Sequence, residues 1–290
     1  MRWVDYESPN TVQEAISLLS GERKAKMLAG GTDVLVQLRA GRGDADLIVD
    51  VKNISELNEM TLDPEQGLTL GAAVPCYKIY GDAGIGKAYP GLIDCASLIG
   101  GIQIQGRASI GGNLCNAAPS ADSIPMLIAY GVTAKIASAD GTREVAAEDF
   151  CTGPGRNVLQ PGELLVSMHF PLPKANSGAR YLRFIPRNEM DIAVAGSGVN
   201  IVINDGVFES ARIALASVAP TPLFVKDAGE ALVGQPVNDE SIAKASALAK
   251  AAAKPITDMR GTIEYRKHLC EVLTRRALND AVRRAKGEQV

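Results

Sequence analysis

Two glycine pairs in similar settings constrain this chain more than any other feature: Leu28-Ala-Gly-Gly-Thr-Asp33 and Ser109-Ile-Gly-Gly-Asn113, each with a small polar residue directly after the pair. Two adjacent residues without Cβ let successive backbone N–H groups converge on one anion, and a helix starting just behind adds positive partial charge. Such a turn holds a phosphate without lysine. Two of them suit a diphosphate, the link between the halves of a dinucleotide. Taken singly, a Gly-Gly pair more often makes only a tight turn, and that reading stands for each pair alone. The usual nucleotide fingerprints are missing or broken. No G-x-G-x-x-G follows the first strand pattern. Gly81-Asp-Ala-Gly-Ile-Gly-Lys87 nearly matches a P-loop, but Ala88 stands where Ser or Thr must ligate magnesium, and the segment reads as a surface loop.

Periodicity divides the 290 residues into three stretches. Thr11-Val-Gln-Glu14 has the form of a capping box, with Val12, Ala15, Ile16 and Leu19 at helical spacing. The apolar run 25–29, a helical pattern over 34–40 and the strand-like Leu47-Ile-Val-Asp-Val51 then alternate as in a small α/β unit with parallel strands, 1–55. From 56 to 175 the pattern changes. Gly67-Leu-Thr-Leu-Gly71 alternates, 132–137 leads through Asp140-Gly141 into Arg143-Glu-Val145 as a hairpin does, 163–170 reads as a strand, and helices fall after Pro75 and over 92–99. In 176–290, strands at 180–185, 198–203 and 211–217 form a three-stranded antiparallel group, with an Asp205-Gly206 turn and two long helices at 239–253 and 262–286. The fold class is α+β.

Composition removes several functions. The 30 basic and 33 acidic side chains leave a net charge of −3, which gives no broad positive field for nucleic acid. No stretch approaches the ~18–20 uninterrupted apolar residues of a membrane span. The opening MRWVDYESPN lacks an apolar core followed by a small-residue cleavage site, so a cytoplasmic location is expected. The five cysteines are widely spaced with no C-x-x-C, and only His169 and His268 could join them in a metal site. His169, in an apolar strand before Phe170-Pro171, reads as structural, and no Ser-His-Asp set is evident. Redox chemistry, if present, needs an organic cofactor.

The first glycine turn, Gln103-Ile-Gln-Gly-Arg-Ala-Ser-Ile-Gly-Gly-Asn113, Asn116-Ala-Ala-Pro-Ser-Ala-Asp122, Pro161-Gly-Glu-Leu-Leu165 and Arg187-Asn-Glu-Met-Asp-Ile-Ala193 occur in fixed order across essentially the whole chain. Together they resemble the FAD-binding subunit of molybdenum hydroxylases, the group that includes carbon monoxide dehydrogenase and xanthine dehydrogenase. The resemblance implies a two-part FAD-binding fold, a small α/β subdomain plus a larger α+β subdomain with an antiparallel sheet, followed by a C-terminal domain. It implies FAD on this chain, [2Fe–2S] clusters on a small partner subunit and a molybdopterin centre on a large one, in a dimer of heterotrimers. The flavin then passes electrons onward, while the substrate pocket lies on another chain.

Residue by residue, the resemblance makes Met27, Leu28, Ala29, Gly30, Gly31, Thr32, Asp33 and Val34 the loop under the diphosphate, with Ser109, Gly112 and Asn113 as its second half. Asp122 falls at an acidic position that contacts the cofactor. Ile99 and Leu165 fall at apolar lining positions, although as bare sequence they read as core. Arg183 stands where relatives often have lysine, and Ile192 at the position shielding one face of the isoalloxazine. Gln105-Gly106 replaces a common Arg-Asn, and Asn188 the second member of an Arg-Arg pair. Cys115 could tune a flavin but reads more simply as a small buried thiol. The segment 260–290 carries eight Lys or Arg against four Asp or Glu, a surplus that fits an acidic partner or a solvated helix face. The competing readings are a self-sufficient FAD-dependent oxidase or reductase of related architecture and a nucleotide-binding scaffold without turnover.

Overall fold

The computed structural model describes residues 3–290; Met1 and Arg2, the start of the N-terminal stretch and of the 1–55 unit, lie outside the described residues. The first elements are β1 (Asp5–Glu7), α1 (Val12–Leu19), β2 (Ala25–Leu28), α2 (Val34–Arg39) and β3 (Leu47–Asp50). Thr11 caps α1, its hydroxyl accepting from Glu14 N while the Glu14 carboxylate accepts from Thr11 N, so the capping box forms as the sequence requires. The three strands pair in parallel in the order β1-β3-β2. Central β3 is buried on both faces: Leu47 and Val49 pack with Val12, Ala15 and Ile16 of α1, and Ile48 with Leu38 of α2. β1, which has no apolar alternation, is an element the sequence pattern does not announce.

The next stretch is richer in short helices than the sequence indicates. It comprises α3 (Ser55–Asn58), β4 (Met60–Asp63), β5 (Gly67–Gly71), α4 (Cys76–Tyr80), α5 (Ala83–Ala88), α6 (Pro90–Ala96), α7 (Ile102–Gln105), α8 (Ile110–Asn116) and α9 (Ile124–Tyr130). Then come β6 (Thr133–Ser138), β7 (Gly141–Ala146), α10 (Ala147–Phe150), β8 (Cys151–Gly153), β9 (Arg156–Asn157) and β10 (Leu164–Phe170). Five strands form an antiparallel sheet in the order β4-β5-β10-β6-β7. One face of β10 sends Leu165, Met168 and Phe170 into the large core under the helices. The other sends Leu164 and Val166 into the core of the parallel sheet, so the two layers share β10. The near P-loop is a correction: Asp82 caps α5 by accepting from Ile85 N at 2.9 Å, and Ile85 is fully buried, so an apolar anchor makes this stretch a helix and not a surface loop.

The last stretch contains β11 (Ser177–Phe184), β12 (Ala195–Asn204), β13 (Val207–Ala216), β14 (Leu223–Phe224), α11 (Lys226–Glu230), α12 (Asp239–Ala252) and α13 (Ile263–Ala285). To the three expected strands the structure adds β14, only two residues long and too short to show a period, at the edge of the order β11-β12-β13-β14. Asp205 and Gly206 both take positive φ in the β12–β13 turn, as a two-residue hairpin with this pair demands. One face of the sheet packs on α12 and α13 through Val199, Ile213, Leu273 and Leu278; Ala179, Tyr181 and Ala214 of the other face join the middle core.

A buried ionic joint fastens these layers. Asp94 of α6 accepts from Arg180 Nη1 at 2.9 Å, from both terminal nitrogens of Arg284 at 2.7 and 2.9 Å and from Tyr181 N at 3.1 Å. Arg284 of α13 and Arg266, which holds Asp258 at 2.6 Å, are turned into the protein, so the basic surplus of 260–290 is partly structural and not wholly a solvated face.

Candidate functional site

The two glycine turns line a single cavity of about 450 Å³, within the ~300–1,000 Å³ typical of ligand pockets. One turn leaves the carboxyl end of parallel strand β2 and enters α2; the other enters α8. They are tied directly, Arg107 Nε donating to the Gly30 carbonyl at 2.9 Å. A Cβ on Gly30 would collide with the Arg107 carbonyl oxygen, so only glycine allows the two turns to meet here. Gly31 takes φ +79°, the left-handed conformation that glycine adopts without strain. In the second turn the division is similar: a Cβ on Gly111 would lie 2.5 Å from the Ala72 carbonyl oxygen, whereas one on Gly112 would meet only Ser109 Oγ, at 3.0 Å. Gly112 lines the cavity, so the missing side chain there leaves space for a ligand.

Donors, not cations, furnish the polar side. Among the described residues, Asp33 is the only charged one in the lining. At the start of α8 the Ser109 hydroxyl accepts from Gly112 N at 3.0 Å, which uses that amide and leaves the hydroxyl proton free to donate. Asn113 Oδ1 accepts from Ser123 Oγ at 2.6 Å, which commits its oxygen and leaves its NH2 as the donor. Gln37 Nε2 donates to Asn116 Oδ1 at 3.0 Å and joins α2 to α8 along the wall. The apolar side includes Val51, Leu57, Ala72, Ile99, Ile104 and Leu165. A surface that is donor-rich and free of lysine and arginine in one part and aliphatic in another matches a diphosphate joined to flat aromatic rings.

Of the residues singled out from sequence, Met27, Ala29, Gly30, Gly31, Thr32, Asp33, Val34, Ile99, Ser109, Gly112, Asn113 and Leu165 all line this cavity. Leu28 does not; it is buried with Leu38, Ala45 and Ile48. Asp122 and Arg183 are also outside the lining and form their own buried pair, Arg183 Nη1 donating to Asp122 Oδ2 at 2.6 Å and Tyr181 Oη to Asp122 Oδ1 at 2.8 Å. Asp122 is therefore a buried, paired carboxylate. Ile192, 49% exposed, borders a second, smaller concavity. Gln37, Gly100, Gly111 and Asn116 were not singled out. Asn116 was reachable, since it lies four residues after Gly112 on the same helical face. Cys115 lines the wall half-buried, and burial, with Cys151 nearby, pushes its thiol up to about 12, so it stays a neutral wall group. His169 is exposed on β10 and packs in no core, contrary to the structural role expected of it. Among the described residues no group of three or more His, Cys, Asp or Glu could hold a metal, and no helix is long and apolar enough to cross a membrane.

Burial pushes Asp122 up to about 6, against the opposing pull of Arg183 and Tyr181. Its folded pKa thus exceeds its unfolded one of about 3.8. The stability contributed by the protonated form is complete below pH 4 and is lost as pH rises through 6, at up to about 1.4 kcal/mol per pH unit. Urea unfolding of the ligand-free protein between pH 4 and 7 should show this decline, and an Asp122→Asn variant should lack it. A slope of the same size in the variant would assign the effect to another group.

A cavity in which paired glycine turns offer backbone and amide donors beside an aliphatic wall defines a dinucleotide-holding flavoprotein. Residues 2–173 match the family described as the FAD binding domain in molybdopterin dehydrogenase, and residues 180–281 the CO dehydrogenase flavoprotein C-terminal domain. The chain is 34% identical to a xanthine dehydrogenase FAD-binding subunit from Escherichia coli, over 99% of this chain and 98% of the relative. It is 32% identical to the carbon monoxide dehydrogenase medium chain of Afipia carboxidovorans, over 98% of each. The fold superposes on reconstituted CO dehydrogenase from Oligotropha carboxidovorans with a TM-score of 0.93 at 30% identity, covering 98% of this chain and 99% of that one. Quinoline 2-oxidoreductase from Pseudomonas putida gives 0.91 at 28% identity, with 98% of each chain covered. This chain belongs to the family of FAD-binding subunits of xanthine and CO dehydrogenase-type molybdenum hydroxylases.

Proposed function

We propose that this chain relays electrons from [2Fe–2S] clusters on a small partner subunit, through its FAD, to an external acceptor, while a large molybdopterin subunit oxidises the organic substrate. The observation that carries the reading is the pair of glycine turns joined at Gly30 and Arg107 over one cavity. FAD supplies exchange of both one and two electrons. The chain's task is to bind and orient it. The backbone of 30–32, the Ser109 hydroxyl and the Asn113 amide hold the diphosphate, and Gly112 lets it approach. Ile99 and Leu165 pack on the ring system and keep water from it. Asp122 and Arg183 act at one remove, since Asp122 precedes Ser123, which fixes the Asn113 amide. Ile192, outside the main lining, would shield one face of the ring system as the family resemblance implies. No proton-transfer pair is required.

In this reading the chain has three units, 1–55, 56–175 and 176–290, and works in the cytoplasm within a dimer of heterotrimers. Affinity purification of the tagged chain from its own cells should bring down molybdenum, iron and FAD together. Electrons from substrate should then reach an added acceptor only when flavin is present. A chain that purifies alone, yellow, and oxidises a small organic substrate by itself would establish the self-sufficient oxidase in its place.

A further inference from the structure

The second concavity, about 190 Å³, lies where the segment between β11 and β12 meets the segment after α12. Lys254, Arg260 and Arg266 line it, against one carboxylate, Asp258. That carboxylate is already engaged: Arg266 Nη2 donates to its Oδ1 at 2.6 Å, and Arg260 N to the same oxygen at 2.8 Å. Arg266 is 4% exposed, and its Nη1 donates to the Val194 and Ser217 carbonyls. Lys254 and Arg260 have no ion-pair partner among the described residues, so two positive charges are left over.

Two further features mark the place as a site. Ser217 Oγ and Arg266 Nε are buried polar atoms without a hydrogen-bond partner, and both residues belong to the lining. An unsatisfied buried donor is uncommon unless something else satisfies it. Ser217 also takes φ +67°, a conformation that costs a serine energy and that collects at functional sites. The neighbourhood is tied to the region of the main cavity by contacts, although the two linings share no residue. Ile192 borders this concavity, while Met190, two residues before it, abuts Gly101, which follows Gly100 of the main lining; Ser217 N donates to Pro119 O at 2.7 Å.

We propose that this concavity is a site for the phosphoryl group of a small organic anion, held by Lys254, Arg260 and the buried edge of Arg266. A surplus of two positive charges balances a phosphate monoester, which carries about −1.5 to −2 at neutral pH, better than it balances a single carboxylate. Ile192 and Ile256 supply an apolar border for the body of the ligand. Its binding pins Ile192 and Ala193, which line the concavity.

Calorimetric titration of the FAD-loaded protein with inorganic phosphate and, separately, with ADP tests this. Wild type should bind, and the double variant Lys254→Gln/Arg260→Gln should bind at least ten-fold more weakly with its FAD content and unfolding temperature unchanged. A control that removes the same charge elsewhere, Arg39→Gln/Arg42→Gln, should bind like wild type. ADP binding ten-fold tighter than phosphate identifies a nucleotide as the source, and equal affinity identifies phosphate itself. Absence of binding by wild type, or equal loss in both double variants, overturns the site. Loss of FAD from wild type would instead count against the flavin reading and is scored separately by its visible absorbance.

Discussion

Gly112→Val should leave a folded protein that has lost its flavin, while Gly30→Val should lose the flavin and much of its stability as well. The two glycines differ in what a side chain would strike. At Gly112 a valine meets only the Ser109 hydroxyl before entering the cavity, and within helix α8 valine is no worse than glycine for helix formation, so unfolding should move by less than about 1 kcal/mol. At Gly30 the same change drives a Cβ into the Arg107 backbone and separates the two turns, an overpacking that costs about 1–3 kcal/mol or more. FAD bound per chain should fall below a tenth in both. Absorbance at the flavin band, read beside urea unfolding, separates them. Wild-type FAD content in Gly112→Val would mean that the ligand does not approach that turn.

The second large effect arises at a residue outside the cavity lining. Asp94→Ala removes the carboxylate shared by Arg180, Arg284 and Tyr181 N, and leaves the largely buried Arg284 guanidinium without its carboxylate partner and Arg180 with Asp280 alone, 3.2 Å from its Nε. Breaking a buried ion pair from one side costs about 3–5 kcal/mol. The chemical denaturation midpoint should drop accordingly. Because α6, β11 and α13 come apart at this joint, limited proteolysis should release the 176–290 region early. An unfolding curve within experimental error of wild type would show that apolar packing alone holds the layers together.

Much of this site was legible because glycine is chemically unambiguous. A single pair makes only a tight turn, but two of them within a fixed order of motifs carry a family resemblance, and that resemblance led to twelve residues that line one cavity. The parallel sheet was legible for a different reason: Leu47 to Asp50 is buried on both faces, and such a strand has to be an unbroken apolar run. What escaped was set by tertiary contact. Gly30 and Gly111 look like Gly31 and Gly112 in sequence, yet only the approach of Arg107 and Ala72 separates packing glycines from ligand-facing ones. Asp122 reads as a loop acid because its partners, Tyr181 and Arg183, are some 60 residues away. Asp82 makes a helix of the apparent P-loop through a cap and one buried isoleucine, a signal too short to outweigh three glycines. Gln37 belongs to no motif; it matters because Asn116 is 3.0 Å away.

A crystal of this chain soaked in FAD addresses the main point without recourse to activity. Density for the diphosphate should lie between residues 30–32 and 109–113, with the ring system against Ile99 and Leu165. FAD bound elsewhere on the surface, or a cavity still filled only by water at saturating flavin, would contradict the assignment of the paired turns.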